Sequence, residues 1–421
     1  MDHAAASDDS GTRERAGDHT RSTVINEIRA AGSISRVELA STVGLTAASI
    51  SIVTRALLDE GMVIEVGFSA PTGGKPRTLL ALNLRSRFAV GVSLGRHHIA
   101  IVLSDLGGQP VGSRDLAGAG DQAPQEVLTI VWDAIRALIE SSGVDVATVV
   151  GIGIAGPGPL DTLTGTLRGP RPSPHWTGFP VEKNLEALSG LPVLLDNDAT
   201  CAALGEFWTD RTGAARAVSA TVFMSDGIGC GILVDGRVFH GMTSNAGELG
   251  HISLDPEGPA CHCGARGCVE VYASPASVVE SALAIPSAAA RWRVNGRDDS
   301  VLEDFGLICE AASDGDEDAV SIVARAARAL ARAVVILSNI LDLDEVRLTG
   351  PGFAVSRGLY VSQMERELDA GTFMRSVHPV RVHVSGAGSD AAALGAAALI
   401  LQHRITPHAA ATARRTAGTS S

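Results

Sequence analysis

Ser219-Ala220-Thr221-Val222-Phe223-Met224 leads into Ser225-Asp226-Gly227-Ile228-Gly229-Cys230-Gly231, then Ile232-Leu233-Val234, Asp235-Gly236 and Val238-Phe239. Short apolar, β-branched runs broken by glycine turns read as strand, turn, strand, turn, strand. A similar unit lies about 130 residues earlier, with Phe88 to Leu94, Ile99 to Asp105 and a Gly107-Gly108 turn. Internal duplication of this kind predicts two related lobes with a cleft between them. Helical patterns alternate with the strands: Pro124 to Ser141, Ala319 to Asn339 and Asp390 to Gln402. The body therefore reads as a two-lobed α/β structure.

The chain of 421 residues carries 34 basic and 47 acidic side chains, a net charge of −13, with 45% hydrophobic and 19% charged residues. This composition supports a large core and excludes a disordered chain. At roughly 100–200 residues each, about two to four domains are expected. No apolar run is long enough for a membrane span. Met1 to Arg15 is polar and acidic, without the apolar stretch of a secretory signal, so a cytoplasmic protein is expected. The tails, 1–20 and 403–421, are expected to be disordered.

The acidic balance argues against nucleic acid, but it is uneven. From Arg21 to Arg87 there are eight basic and five acidic residues, so a small basic module precedes an acidic body. Thr23 to Ala31 has helical spacing at Val24, Ile25 and Ile28, and Gly32-Ser33 stops it. Ser35 with Glu38 forms a capping-box pattern for a second helix with Val37, Leu39 and Ala40 on its apolar face. After Gly44-Leu45, Thr46 caps a third helix, Ala47 to Glu60, with Ile50, Val53, Leu57 and Leu58 inward and Gly61 ending it. Two helices joined by a glycine-containing turn form a helix-turn-helix. Thr46, Ser49, Ser51 and Arg55 are candidates for bases and phosphates. Met62 to Val66 and Thr78 to Leu84 read as strands flanking Ala70-Pro71-Thr72-Gly73-Gly74-Lys75-Pro76-Arg77, a wing whose Lys75 and Arg77 suit an adjacent groove. The alternative is a helical module for protein contacts.

His251 is followed by Cys261, Cys263 and Cys268, an H-x9-C-x-C-x4-C array. Three thiolates and an imidazole make a closed tetrahedral set for structural zinc. Gly264 and Gly267 let the chain turn tightly around it. The competing reading is a pair of reduced core cysteines beside an unrelated histidine.

These motifs together resemble the ROK family (repressors, open reading frames and sugar kinases). Cys261 to Glu270 matches its cysteine signature, Gly247-Glu248-Leu249-Gly250-His251 the segment before it, Gly156-Pro157-Gly158-Pro159-Leu160-Asp161 its early loop and Asn197-Asp198-Ala199 its catalytic dipeptide. The likeness spans roughly residues 21 to 402, and the basic module points to the repressor branch. It implies an N-terminal winged helix-turn-helix followed by an actin-like (ribonuclease H-like) sugar-kinase fold. The expected boundaries are 21–84 for the DNA module, 85–196 for the first lobe, completed by about 386–402, and 197–385 for the second lobe with the zinc site. The resemblance also implies sugar contacts at Asn197, Asp198, Glu248, His251 and Glu270, with Asp198 in the place of a kinase base. Carboxylates accept from vicinal hydroxyls. His251 would bind zinc through one ring nitrogen and the sugar through the other.

The nucleotide side departs from the family. Its Asp-x-Gly-Gly-Thr is replaced by Ser93-Leu94-Gly95-Arg96-His97, its Gly-Thr-Gly by Ser225-Asp226-Gly227, and Pro351 interrupts Gly350 and Gly352. A carboxylate opposes polyphosphate, and proline has no N–H to donate. The expected function is therefore a non-catalytic, sugar-responsive transcriptional regulator, expected to repress. Its partners would be operator DNA, a sugar or sugar-phosphate effector, and a second copy in a homodimer or homotetramer, with no membrane role. The alternatives are an ATP-dependent sugar kinase with an appended DNA module and a protein-interaction regulator with an empty cleft.

Overall fold

The computed structural model describes residues 8–70, 76–210, 218–386 and 388–405. The N-terminal module comprises α1 (Asp8–Ala31), β1 (Ile34–Ser35), α2 (Arg36–Val43), α3 (Ala47–Asp59), β2 (Val63–Phe68) and β3 (Thr78–Leu82). The body begins with β4 (Phe88–Leu94), β5 (His98–Asp105), β6 (Pro110–Ala117), α4 (Pro124–Ser141) and β7 (Val149–Gly156). A small hairpin, β8 (Leu160–Asp161) and β9 (Thr166–Leu167), precedes α5 (Val181–Ser189), β10 (Val193–Asn197) and α6 (Asp198–Thr209). The second half holds β11 (Val218–Met224), β12 (Ile228–Val234), β13 (Arg237–Val238), α7 (Glu270–Ala273), α8 (Pro275–Leu283), α9 (Pro286–Trp292) and α10 (Val301–Ser313). It ends with α11 (Glu317–Leu341), β14 (Glu345–Thr349), α12 (Pro351–Gly371), β15 (Arg381–Val384) and α13 (Ala391–Ile405).

The duplication is explicit in the sheets. One five-stranded sheet runs β10-β7-β4-β5-β6 and the other β13-β12-β11-β14-β15. In each, the first strand pairs antiparallel with the second and parallel with the fourth. Pairs such as Ser93 with Ala155 and Val222 with Leu348 fix the register. The structure corrects the glycine turn expected at 227–231, because β12 already starts at Ile228. Gly229 and Gly231 lie within that strand, and a Cβ on Gly231 would stand 2.4 Å from the Ala199 carbonyl. Glycine here lets α6 press onto the sheet.

Two large cores follow. Apolar faces of α4 and α5, including Val127, Val131, Ile135 and Leu185, cover the first sheet. Val278, Phe305, Ile322, Leu330 and Tyr360 enclose the second. Between the lobes lie α6 and the alanine-rich α13, whose Ala391, Ala392 and Ala396 are fully buried with Ala199 and Ala202.

The N-terminal tail expected to end at residue 20 is also corrected, since α1 starts at Asp8. Val24, Ile25 and Ile28 anchor its packed end, and extending a nucleated helix costs little per residue. Residues 406–421 lie outside the described part. Ser35 and Glu38 form the capping box, and Thr46 caps α3. Val37, placed inward by the sequence reading, is 55% exposed, and Leu39 is the fully buried residue of α2. An eight-residue helix presents too narrow a face to bury both. Among the described residues, no single helix is long and apolar enough to cross a membrane.

Candidate functional site

Four of the DNA-facing candidates, Thr46, Ser49, Ser51 and Arg55, lie on or at the start of α3. Thr46 Oγ1 accepts from the Ser49 N–H at 3.2 Å, and the two hydroxyls are 2.9 Å apart. Ser51 donates back to the Ala47 carbonyl at 2.7 Å. Capping therefore occupies Thr46 and Ser49, as helix starts demand. The exposed residues of α3 are Ala47, Ala48, Ser51, Ile52, Arg55 and Asp59. Arg77 is exposed at the base of the wing, where its N–H donates to Ser69 Oγ at 3.1 Å. Lys75 lies outside the described residues.

The five sugar-side candidates converge where the lobes meet. Asn197 ends β10 and caps α6, its Oδ1 accepting from Ala199 N at 2.9 Å and Thr200 N at 3.2 Å. The cap consumes the acceptor, so Nδ2 is the group this residue offers a ligand. A Cβ on Gly158 would lie 3.1 Å from Asn197 Nδ2 and 3.4 Å from Glu248 Oε1. Both groups therefore face the same space beside the loop after β7, and a side chain there would fill it. Glu270, at the start of α7, points Oε2 at the same floor, 3.2 Å from a Cβ on Gly250.

Asp198 follows at the first position of α6. Dense protein around its carboxyl pushes it up to about 7, helped by the charges of Glu248 and Asp226 and opposed by the Ala199 N–H and Arg171. Burial likewise raises Glu248, with Glu270 adding to the effect and His251 opposing it. Desolvation disfavours a lone carboxylate unless hydroxyls or cations replace its water.

Arg171 is a member of this cleft that sequence reasoning missed. Its Nη2 stands 3.5 Å from Glu270 Oε1, and its Nη1 would lie 3.1 Å from a Cβ on Gly227. No local motif marks it. The loop after β9 carries it across from the other lobe.

The cysteine array forms a compact cluster. One ligand atom from each of His251, Cys261, Cys263 and Cys268 lies within 4.8 Å of every other. Cys261 Sγ is 3.6 Å from His251 Nδ1, and Cys263 Sγ is 3.7 Å from Cys268 Sγ. Thiolates at about 2.3 Å from a tetrahedral zinc would be separated by about 3.7 Å, so the donors fit that ion. Nδ1 is the nitrogen that faces the sulfurs, which leaves Nε2 outside the cluster. Gly267 has φ +63°, and a Cβ there would be 1.8 Å from the Asp255 carbonyl, so the turn requires glycine.

The nucleotide-side positions are filled by paired side chains. Arg96 donates from Nε to Asp298 at 3.0 Å across the lobes, and from Nη1 to Asp121 and the Pro172 carbonyl at 3.1 Å each. His97 Nε2 is 4.0 Å from Asp226 Oδ1. Pro351 is the first residue of α12, a position where a helix tolerates the missing N–H but a phosphate would have used it.

A model of the ROK family matches residues 89–403. The putative xylose repressor of Caldicellulosiruptor sp. (strain Rt8B.4) is 29% identical over 370 residues, covering 87% of this chain and 92% of that protein. A crystal structure of a ROK family transcriptional regulator, a homologue of the E. coli MLC protein, superposes with a TM-score of 0.71 at 26% identity, covering 92% of this chain and 97% of that one. A ROK family glucokinase from Streptomyces griseus, in complex with glucose and AMPPNP, gives 0.60 at 29% identity, covering 74% and 98%.

Proposed function

The chain belongs to the ROK family, and from that premise we propose that it is a sugar-responsive DNA-binding transcriptional regulator of the repressor branch. One observation carries the reading: a helix-turn-helix with its β-hairpin is packed onto a body in which Asn197, Asp198, Glu248 and Glu270 converge, while Arg96, at the first phosphate-loop position, is held by Asp121 and Asp298. Asp198, Glu248 and Glu270 would accept from sugar hydroxyls, Asn197 Nδ2 would donate, and His251 Nε2 would complete the ring. A zinc ion held by His251, Cys261, Cys263 and Cys268 would supply a fixed tetrahedral cross-link. His251 and Glu270 are then kept on the sugar by the loop those cysteines close.

The body acts as a sensor, not a catalyst. Phosphoryl transfer needs a positioned polyphosphate and metal as well as a base. Arg96, His97 and Asp226 occupy the sequence positions that correspond to the family's phosphate loops. Control is a population shift. A sugar between the lobes favours one arrangement of the body and thereby changes how the DNA modules of two subunits meet successive major grooves. A thermal-shift screen against neutral sugars and sugar phosphates tests effector binding, since a ligand of the native state raises its melting temperature. A coupled assay with ATP and the same sugars tests the kinase alternative, to which the glucokinase likeness and Asp198 lend support. Robust turnover would replace the sensor reading.

A further inference from the structure

We propose that Ile52 reads sequence in the operator, by packing against the 5-methyl group of a thymine. This rests on the DNA-binding reading above. Ile52 is 72% exposed in the middle of α3, on the side opposite the buried Ile50, Thr54 and Leu57. Ala48 lies one turn before it, and both Ser51 and Arg55 flank it on the same exposed face.

The hydroxyls expected to meet base edges are partly engaged within the helix. Thr46 and Ser49 bond each other, and the Ser51 hydroxyl bonds the Ala47 carbonyl. The exposed side of α3 thus offers a groove an aliphatic patch, Ala47, Ala48 and Ile52, bordered by Ser51 and Arg55, with Asp59 in the last turn. A lone exposed isoleucine is ordinary on a protein surface. Here it sits on the second helix of a helix-turn-helix, the element that enters the major groove. The segment carrying it, Arg21 to Arg87, holds eight basic against five acidic residues, a charge suited to phosphate. The base edges of the major groove present hydrogen-bonding groups at every pair and one apolar group, the thymine methyl. Ile52 and Ala48 complement that group alone, while Arg55 reaches an adjacent guanine or phosphate.

The test selects bound DNA from a randomised pool with the full chain, then replaces each thymine of the half-site with deoxyuridine, which removes only the methyl. The expected result is one position, or two neighbouring ones, where the replacement weakens binding about fourfold, the value of one buried methyl. The same replacement should leave the affinity of Ile52→Ser unchanged, while its melting temperature matches the parent. Sensitivity at no position, or the same penalty in Ile52→Ser, would overturn the assignment while leaving DNA binding intact. A pool that yields no enriched DNA would overturn the DNA-binding reading itself.

Discussion

The guanidinium of Arg29 lies 5.3 Å from the ring centroid of Trp208 and donates to the Trp208 carbonyl. It also donates to the Phe207 carbonyl at 3.3 Å and stands 5.3 Å from that ring. Arg29 belongs to the last turn of α1, in the DNA module. Trp208 belongs to the C-terminal turn of α6, whose first residue is Asp198. One helix of 12 residues, about 18 Å long at 1.5 Å per residue, therefore joins the cleft of Asp198 and Glu248 to the packed side of the module. A cation at a helix C-terminus and over two rings is favourable on both counts. Trp208, Leu204 and Ala397 share a core with Val24, Ile28 and Leu57.

This contact predicts a separation of functions. Arg29→Ala should retain the sugar affinity of the parent, because the cleft is untouched. It should cost about 2 kcal/mol of docking energy and reduce the effect of sugar on DNA binding. Calorimetry with sugar and anisotropy with DNA, each with and without the other ligand, measure these terms. Unchanged coupling in Arg29→Ala would remove α6 from the path.

The cysteine cluster predicts about one zinc per chain by metal analysis. Cys268→Ser should lower metal content, melting temperature and sugar affinity together, because the loop holding His251 and Glu270 loses its cross-link. Loss of metal with full sugar affinity would show that the loop is held without it.

Asp198 gives a pH prediction. Its carboxyl is raised from 3.8 to about 7 by burial, so the folded chain retains a proton that the unfolded chain has released. Its contribution to stability is present below about 3.8 and falls away as pH rises through about 7. A sugar hydroxyl donating to this group favours the ionised form, so sugar affinity should rise through the same interval. In Asp198→Asn the affinity should be weaker and its pH dependence across this interval flattened. Titration calorimetry between pH 6 and 8, conditions bracketing neutrality by about one unit, distinguishes the two proteins.

Arg55→Ala and Arg77→Ala should each weaken DNA binding. For a phosphate contact, the slope of log affinity against log salt should fall by about one. Binding isotherms at several salt concentrations check this, and identical slopes in both variants would place these cations off the DNA backbone.

The fold was legible where signals are local or periodic. The Ser35–Glu38 capping box, the Thr46 cap, the strand repeat and the His251 to Cys268 spacing each depend on residues near one another in the chain. The cleft was legible only as a set of motifs whose convergence needs the lobes assembled. Arg171 escaped notice because a lone arginine in a loop has no pattern, and its meeting with Glu270 is made by tertiary packing. Arg29 escaped for the same reason: its partners are aromatic residues of another module. Val37 shows the limit of reading apolar residues as core, because a short helix can turn an aliphatic side chain to solvent.

The central claim is that occupancy of the cleft governs DNA affinity. Fluorescence anisotropy of selected operator DNA, titrated with the sugar that most raises the melting temperature, measures it directly. The account predicts that this sugar releases DNA from the parent and fails to do so from an Asp198→Ala, Glu248→Ala variant that still binds DNA in its absence. DNA affinity unmoved by any stabilising sugar, together with ATP-dependent phosphorylation of that sugar, would contradict it.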